Sequence, residues 1–146
     1  MVSISKVFLD DHKVLGNMLK SFIEAQVTHQ STVMVQFNDL TNSLAAHMDA
    51  EEDLCAPFAH KDSELDEIIS VMWEQHKKIT EYFEELGSFE GSKDEYTHLV
   101  FNLIDVIKSH ERFEENQLYP IFDKILTEQE KEKVIYNLQL KWRIEN

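Results

Sequence analysis

Two stretches of this chain carry the same spacing of residue types that bind metals. His47, Glu51, Glu52 and Pro57 follow the pattern His-x3-Glu-Glu-x4-Pro, and His110, Glu114, Glu115 and Pro120 repeat it. Two more histidines sit in weaker copies of each other: Asp10, Asp11, His12 and Lys13 against Glu74, Gln75, His76 and Lys77. His76 follows His12 by 64 positions (76 − 12) and His110 follows His47 by 63 (110 − 47). The chain therefore reads as two repeated units, each supplying one lone histidine and one His-x3-Glu pair.

Residues four apart on a helix lie about 40° apart around its axis and one turn apart along it, so both reach one cation or two adjacent ones. Imidazole and carboxylate together suit iron, manganese or zinc better than magnesium or copper(I). Two metals satisfy the full set. If Glu51 and Glu114 bridge and each metal takes two of His12, His47, His76 and His110, an oxo or hydroxo bridge brings each metal to five ligands. One position then stays open on each metal for a small ligand. Two carboxylates and a hydroxide nearly neutralise two divalent cations, as a buried cluster requires. A lone histidine in an apolar stripe is usually a hydrogen-bonded core residue. Four of them with two glutamates on inward seams are too costly to bury without a cation.

The elements that must position these residues are helices. Val7, Phe8, Leu15, Leu19, Phe22 and Ile23 give an apolar face to a helix over about 5–28. Val33, Phe37, Leu40, Leu44, His47, Glu51 and Leu54 form the seam of a second, over about 32–54, that stops before Pro57. Ile69, Met72, His76, Ile79 and Phe83 mark a third, starting at Asp62 or Ser63 with Ser63 and Asp66 as capping pair, and ending at Gly87. Ser92 and Glu95 cap a fourth. It carries Leu99, Leu103, Ile107, His110, Glu114 and Leu118 and ends near Pro120. Thr127 and Glu130 cap a short fifth over about 128–141, whose Val134, Ile135 and Leu138, with Ile125 and Leu126, pack across one end. The expected architecture is all-α, a single domain over 1–146: an antiparallel up-down four-helix bundle over about 5–120 with a short C-terminal fifth helix.

Composition agrees and excludes other classes. The 146 residues are 42% hydrophobic and 29% charged, with 3 glycines and 2 prolines, too few for an all-β chain. Acidic residues number 28 against 14 basic, a net charge of −14. Such a chain repels phosphate backbones and anionic membrane surfaces, so neither nucleic acid nor membrane is an expected partner. Cys55 is the sole cysteine, which excludes an intrachain disulfide and thiolate clusters. With no signal-peptide-like or membrane-spanning run, the expected location is the cytoplasm.

At these four motifs the sequence resembles the hemerythrin-like family, the HHE cation-binding domains, over roughly residues 5–140. The resemblance implies a four-helix bundle with a non-haem di-iron centre. Oxygen-carrying hemerythrins have a fifth histidine one turn after the third-helix ligand. This chain has Thr80 there, and Gly16 at the matching place in the first repeat. A more symmetric centre follows, open on each iron. The set looks more like that of the iron-centre repair proteins of nitrosative stress, although their usual N-terminal cysteine-containing domain is not part of this sequence. The carriers also take their last carboxylate five residues after the histidine, which points to Glu115. A five-residue step turns about 140° around a helix, which favours Glu114.

Other residues read as structural. His29, His60 and His98 are expected on the surface, and Cys55, Trp73, Phe83 and Phe113 in the core. Glu52 and Glu115 are either exposed acids or groups that hold the ligating imidazoles. Gly16 either leaves room for a ligand beside His12 or allows close helix packing.

The function that follows is a cytosolic di-iron protein that binds or reacts with O2 or NO. Alternatives are an iron-handling or iron-sensing protein with a protein partner, or a repair factor in nitrosative or oxidative stress. No nucleophile–base pair or phosphate-binding loop appears. Any turnover is redox chemistry at the irons, with a donor the sequence does not name.

Overall fold

Long helices follow from a chain with few breakers and capping residues where each helix begins. The computed structural model describes residues 2–28, 31–60 and 62–145, and side chains through residue 140. His29 lies outside the described residues. Among them there is no strand, and the class is all-α as expected. The helices are α1 (Ile4–Val27), α2 (Val33–Cys55), α3 (Ser63–Gly87), α4 (Lys93–Phe113), α5 (Tyr119–Ile125) and α6 (Glu128–Glu145).

The caps explain the starts. Ser3, Asp62 and Ser92 each accept the backbone N–H three residues on, from Lys6, Leu65 and Glu95. Each satisfies one of the donors a helix start leaves over. The α3 cap is therefore Asp62, with Ser63 already helical. Thr127 and Glu130 form the expected reciprocal box: the Glu130 N–H donates to Thr127 Oγ1 at 3.1 Å, and the Thr127 N–H to Glu130 Oε1 at 2.9 Å.

The two repeated prolines act differently. Pro57 falls in a 3-10 turn, Ala56–Phe58, that ends α2 as expected. Pro120 does not end its helix. A π-helical turn, Glu114–Leu118, links α4 to α5, and the helical run continues to Ile125. A proline has no N–H and crowds the carbonyl four residues back. A π turn, with its wider repeat, is one of the few devices that absorbs such a defect without stopping the helix.

The chain divides into two compact units, residues 1–57 with 119–146, and residues 58–118. In the first, α1 and α2 form an antiparallel hairpin: His12 faces His47 while Phe22 faces Phe37, so one number rises as the other falls. Helix α5 packs on α1, and α6 rests on α2 and α1. Phe8, Phe22, Leu40, Tyr119 and Phe122 are fully buried there, each such side chain contributing roughly 1.5–3 kcal/mol. Asp123 of α5 fixes the start of α1. Its carboxylate accepts from the N–H of Ile4 at 2.6 Å, the N–H of Ser5 at 3.1 Å and the Ser3 hydroxyl at 3.2 Å.

In the second unit, α3 and α4 form the matching hairpin, with His76 facing His110 and Phe89 facing Tyr96. Ile69, Met72, Ile79, Phe83, Leu103 and Ile107 are buried, as their seam predicts. Trp73 corrects the expected core: it is 49% exposed. It follows Met72 directly, and one helical step of about 100° carries it off the seam. Cys55 and Phe83 are buried as expected, while Phe113 is half-buried. His98 is exposed, as is His60, whose ring lies 3.4 Å from Asp66.

Candidate metal centre

Each unit gathers three of the six residues singled out by the spacing. In the first, α1 brings His12 and α2 brings His47 and Glu51. In the second, α3 brings His76, α4 brings His110, and Glu114 opens the π turn. All six side chains are buried, Glu51 and Glu114 completely. Within each set of three, one ligating atom per residue lies within 4.8 Å of the others.

The separations are those of ligands on one sphere. Atoms bound at about 2.1 Å to a common cation, about 90–110° apart, sit about 3.0–3.4 Å from each other. His12 Nε2 lies 3.1 Å from His47 Nε2, and His47 Nε2 lies 3.4 Å from Glu51 Oε2. In the second unit, His76 Nε2 and His110 Nε2 lie 3.4 Å and 3.0 Å from Glu114 Oε2. The histidine rings of each pair have centroids 4.7 Å apart in both units.

The protonation pattern fits a cation as well. The His47 Nδ1–H donates to Asp11 Oδ2 at 2.6 Å, and the His110 Nδ1–H donates to Gln75 Oε1 at 2.6 Å. With the proton on Nδ1, a neutral ring presents a lone pair at Nε2, the form a metal requires. In His110 that Nε2 is buried and makes no hydrogen bond. His47 Nε2 faces His12 Nε2 at 3.1 Å, a contact that either a shared proton or a cation bound by both nitrogens satisfies.

The groups holding the imidazoles are thus Asp11 and Gln75. Glu52 and Glu115, the acids considered for that role, are half-buried and neither accepts from these Nδ1 atoms. A signal for the true pair exists in the sequence. Asp11 and Gln75 both directly precede the lone histidine of their repeat, and each reaches across its hairpin to the His-x3-Glu histidine. Of the two candidate carboxylates after His110, Glu114 is the one placed in the set.

Thr80 and Gly16, one turn beyond His76 and His12, are both exposed. The Thr80 hydroxyl donates to the His76 carbonyl at 2.9 Å, so it is occupied along its own helix. A Cβ on Gly16 would meet nothing within 4 Å, so close helix packing does not explain this glycine.

One buried polar side chain near the first set was missed by the spacing. The Tyr119 hydroxyl donates to Glu51 Oε2 and lies 3.1 Å from His12 Nε2. Its ring stacks on Phe8 at 4.8 Å, and Phe8 also meets the His47 ring edge-on at 5.4 Å. Tyr119 follows His110 by nine residues, about 180° around a regular helix, so seam periodicity discards it.

No helix is long and apolar enough to cross a membrane among the described residues. No curated protein and no solved structure matched the chain. The sequence model of one family did, the hemerythrin HHE cation-binding domain, over residues 3–122 and again over 67–137. That match spans most of the chain and all six buried histidines and glutamates, and the chain belongs to the hemerythrin HHE cation-binding family.

Proposed function

We propose that the two His–His–Glu sets together hold a di-iron centre that binds or reacts with O2 or NO in the cytoplasm. The observation that carries this reading is the repetition of one arrangement. Each unit buries two imidazoles and a carboxylate at ligand spacing, with one Nδ1–H donated to an oxygen acceptor at 2.6 Å. Imidazole with carboxylate suits iron, manganese or zinc, and membership of the hemerythrin HHE family favours iron among them.

When bound, iron supplies reversible redox chemistry and open coordination positions for a diatomic ligand. The chain's own residues do the rest. His12, His47, His76 and His110 would hold the metal through Nε2, and the Glu51 and Glu114 carboxylates would bind it and offset its charge. Asp11 and Gln75 fix the rings that they hold and keep the proton on Nδ1. Phe8 is fully buried against the His47 ring and helps keep bulk water from the ligand atoms.

Anaerobic loading with ferrous iron, followed by O2 or NO, tests the reading. The expected result is iron uptake by the folded chain and a change in its electronic spectrum on adding the gas. A folded, iron-loaded protein that is spectrally indifferent to both gases would contradict the ligand assignment.

A second reading, iron handling or sensing, has its own support in the burial of six ligating groups, which makes folding depend on metal. Chelation that melts the chain or releases a protein partner favours it. Unchanged stability and associations after chelation argue against it.

A further inference from the structure

The repeat that relates the two ligand sets breaks at one buried residue. Tyr119 stands immediately before Pro120, and the matching residue before Pro57 is Ala56. Alanine has no donor atom. The first repeat therefore offers no phenol equivalent to Tyr119.

We propose that the Tyr119 hydroxyl is a fourth protein ligand for the cation held by His12, His47 and Glu51, which makes the two metal positions chemically unequal. The proposal rests on the di-iron reading above and deepens it. Four donor atoms converge here: His12 Nε2, His47 Nε2, Glu51 Oε2 and Tyr119 Oη. His12 Nε2 lies 3.1 Å from both His47 Nε2 and Tyr119 Oη, and the Tyr119 hydroxyl also bonds to Glu51 Oε2. A shared cation at about 2.1 Å imposes about 3.0–3.4 Å between neighbouring ligands; the two 3.1 Å contacts of His12 Nε2 satisfy this, whereas the Tyr119–Glu51 pair is closer and must open once its shared proton is lost.

The ring is held for this task. Tyr119 is fully buried and stacks on Phe8 with an interplanar angle of 13°. The phenol donates to Glu51 and can accept from His12 Nε2, so its oxygen already sits against two candidate ligand atoms on different helices. Coordination exchanges the phenolic O–H bond for an oxygen–metal bond and releases one proton to the buffer, with no electron transferred. A phenolate is a hard, anionic oxygen donor, so it favours the ferric over the ferrous state at this position. The first position then has one fewer site for an exogenous ligand, and small-molecule binding falls to the second. The symmetric centre, open on both irons, gives way to one saturated and one open position. The asymmetry comes from an added phenol in place of an added histidine.

The test compares wild type, Tyr119→Phe and Tyr136→Phe after ferric loading, with iron content and circular dichroism measured on each. Phenylalanine keeps the stacked ring and removes only the oxygen, and Tyr136 is an exposed control. The expected result is a phenolate-to-iron charge-transfer band in the visible spectrum of wild type and Tyr136→Phe. Tyr119→Phe should lose the band while remaining helical and iron-bound. Resonance Raman excitation in the band should enhance ring modes of a tyrosinate. Wild type that holds iron but shows no such band overturns the ligand assignment and leaves the di-iron reading standing. A band that survives in Tyr119→Phe overturns it too. Wild type that takes up no iron defeats both readings, so iron content reports on one and the band on the other.

Discussion

Replacing Asp11 with alanine removes the acceptor that takes the His47 Nδ1–H at 2.6 Å. A hydrogen bond to a charged group contributes about 1.5–3 kcal/mol, and loss of a group that orients a ligating imidazole lowers metal affinity by roughly 10–100-fold. The Asp11 side chain is 21% exposed, so water partly replaces it and the lower part of that range applies, about 10–30-fold. Asp11→Asn keeps an oxygen acceptor and loses only the charge, a difference of about 1 kcal/mol or roughly fivefold. Gln75→Ala removes a neutral acceptor worth about 0.5–1.5 kcal/mol, so its effect should be roughly 3–10-fold, smaller than that of Asp11→Ala. The assay is anaerobic titration of ferrous iron against a competing chelator, with melting curves to show that each variant folds. The order Asp11→Ala, then Gln75→Ala, then Asp11→Asn is expected. An affinity for Asp11→Ala within about twofold of wild type would refute the role given to the Nδ1 hydrogen bond.

Further outcomes follow from other contacts. Glu114→Ala should abolish iron binding to its set while Glu115→Ala leaves it near wild type; the reverse result in a metal analysis would place the ligand at Glu115. Gly16→Ala should raise stability by about 1 kcal/mol, since the added methyl meets nothing within 4 Å, and a lower melting temperature would contradict that. Asp123→Ala should cost about 1–2 kcal/mol through loss of the acceptor for the first N–H groups of α1, measured by denaturant melts at neutral pH. Burial pushes the Asp123 carboxyl up, but the bonds from Ser5, Ile4 and Ser3 outweigh it and hold the group below its ordinary 3.8. The stabilisation is therefore complete above that value and disappears as pH falls through the lower folded pKa. The gap between wild type and Asp123→Ala should close in strong acid, and a gap that persists there would count against this role of the carboxylate.

Much of this was legible in the sequence because helices and their seams are local. Four-residue spacing puts His47 with Glu51 and His110 with Glu114 whatever else surrounds them. The apolar stripes found Phe8, Leu40, Met72 and Leu103 for the same reason, and the boxes at Ser92 and Thr127 are contiguous signals. What escaped depends on register between helices. Asp11 reaches His47 only once α1 and α2 are set side by side, so an adjacent pair such as Glu51 and Glu52 drew attention first. Tyr119 escaped because about nine regular steps carry it off the His110 seam, whereas the fold places it beside His12 and Glu51. Pro120 read as a stop by analogy with Pro57, and the π turn beginning at Glu114 removed the need for one. Trp73 shows the reverse case: residue type points an aromatic side chain to the core, but its position one step past Met72 puts it outside.

Iron content per folded chain tests the central claim most directly. Wild type reconstituted without oxygen should retain two iron ions per chain after desalting, one for each His–His–Glu set. His47→Ala and His110→Ala should each lose iron and melt at lower temperature. Wild type that is fully helical yet retains no iron, or variants that keep the wild-type content and stability, would contradict the account.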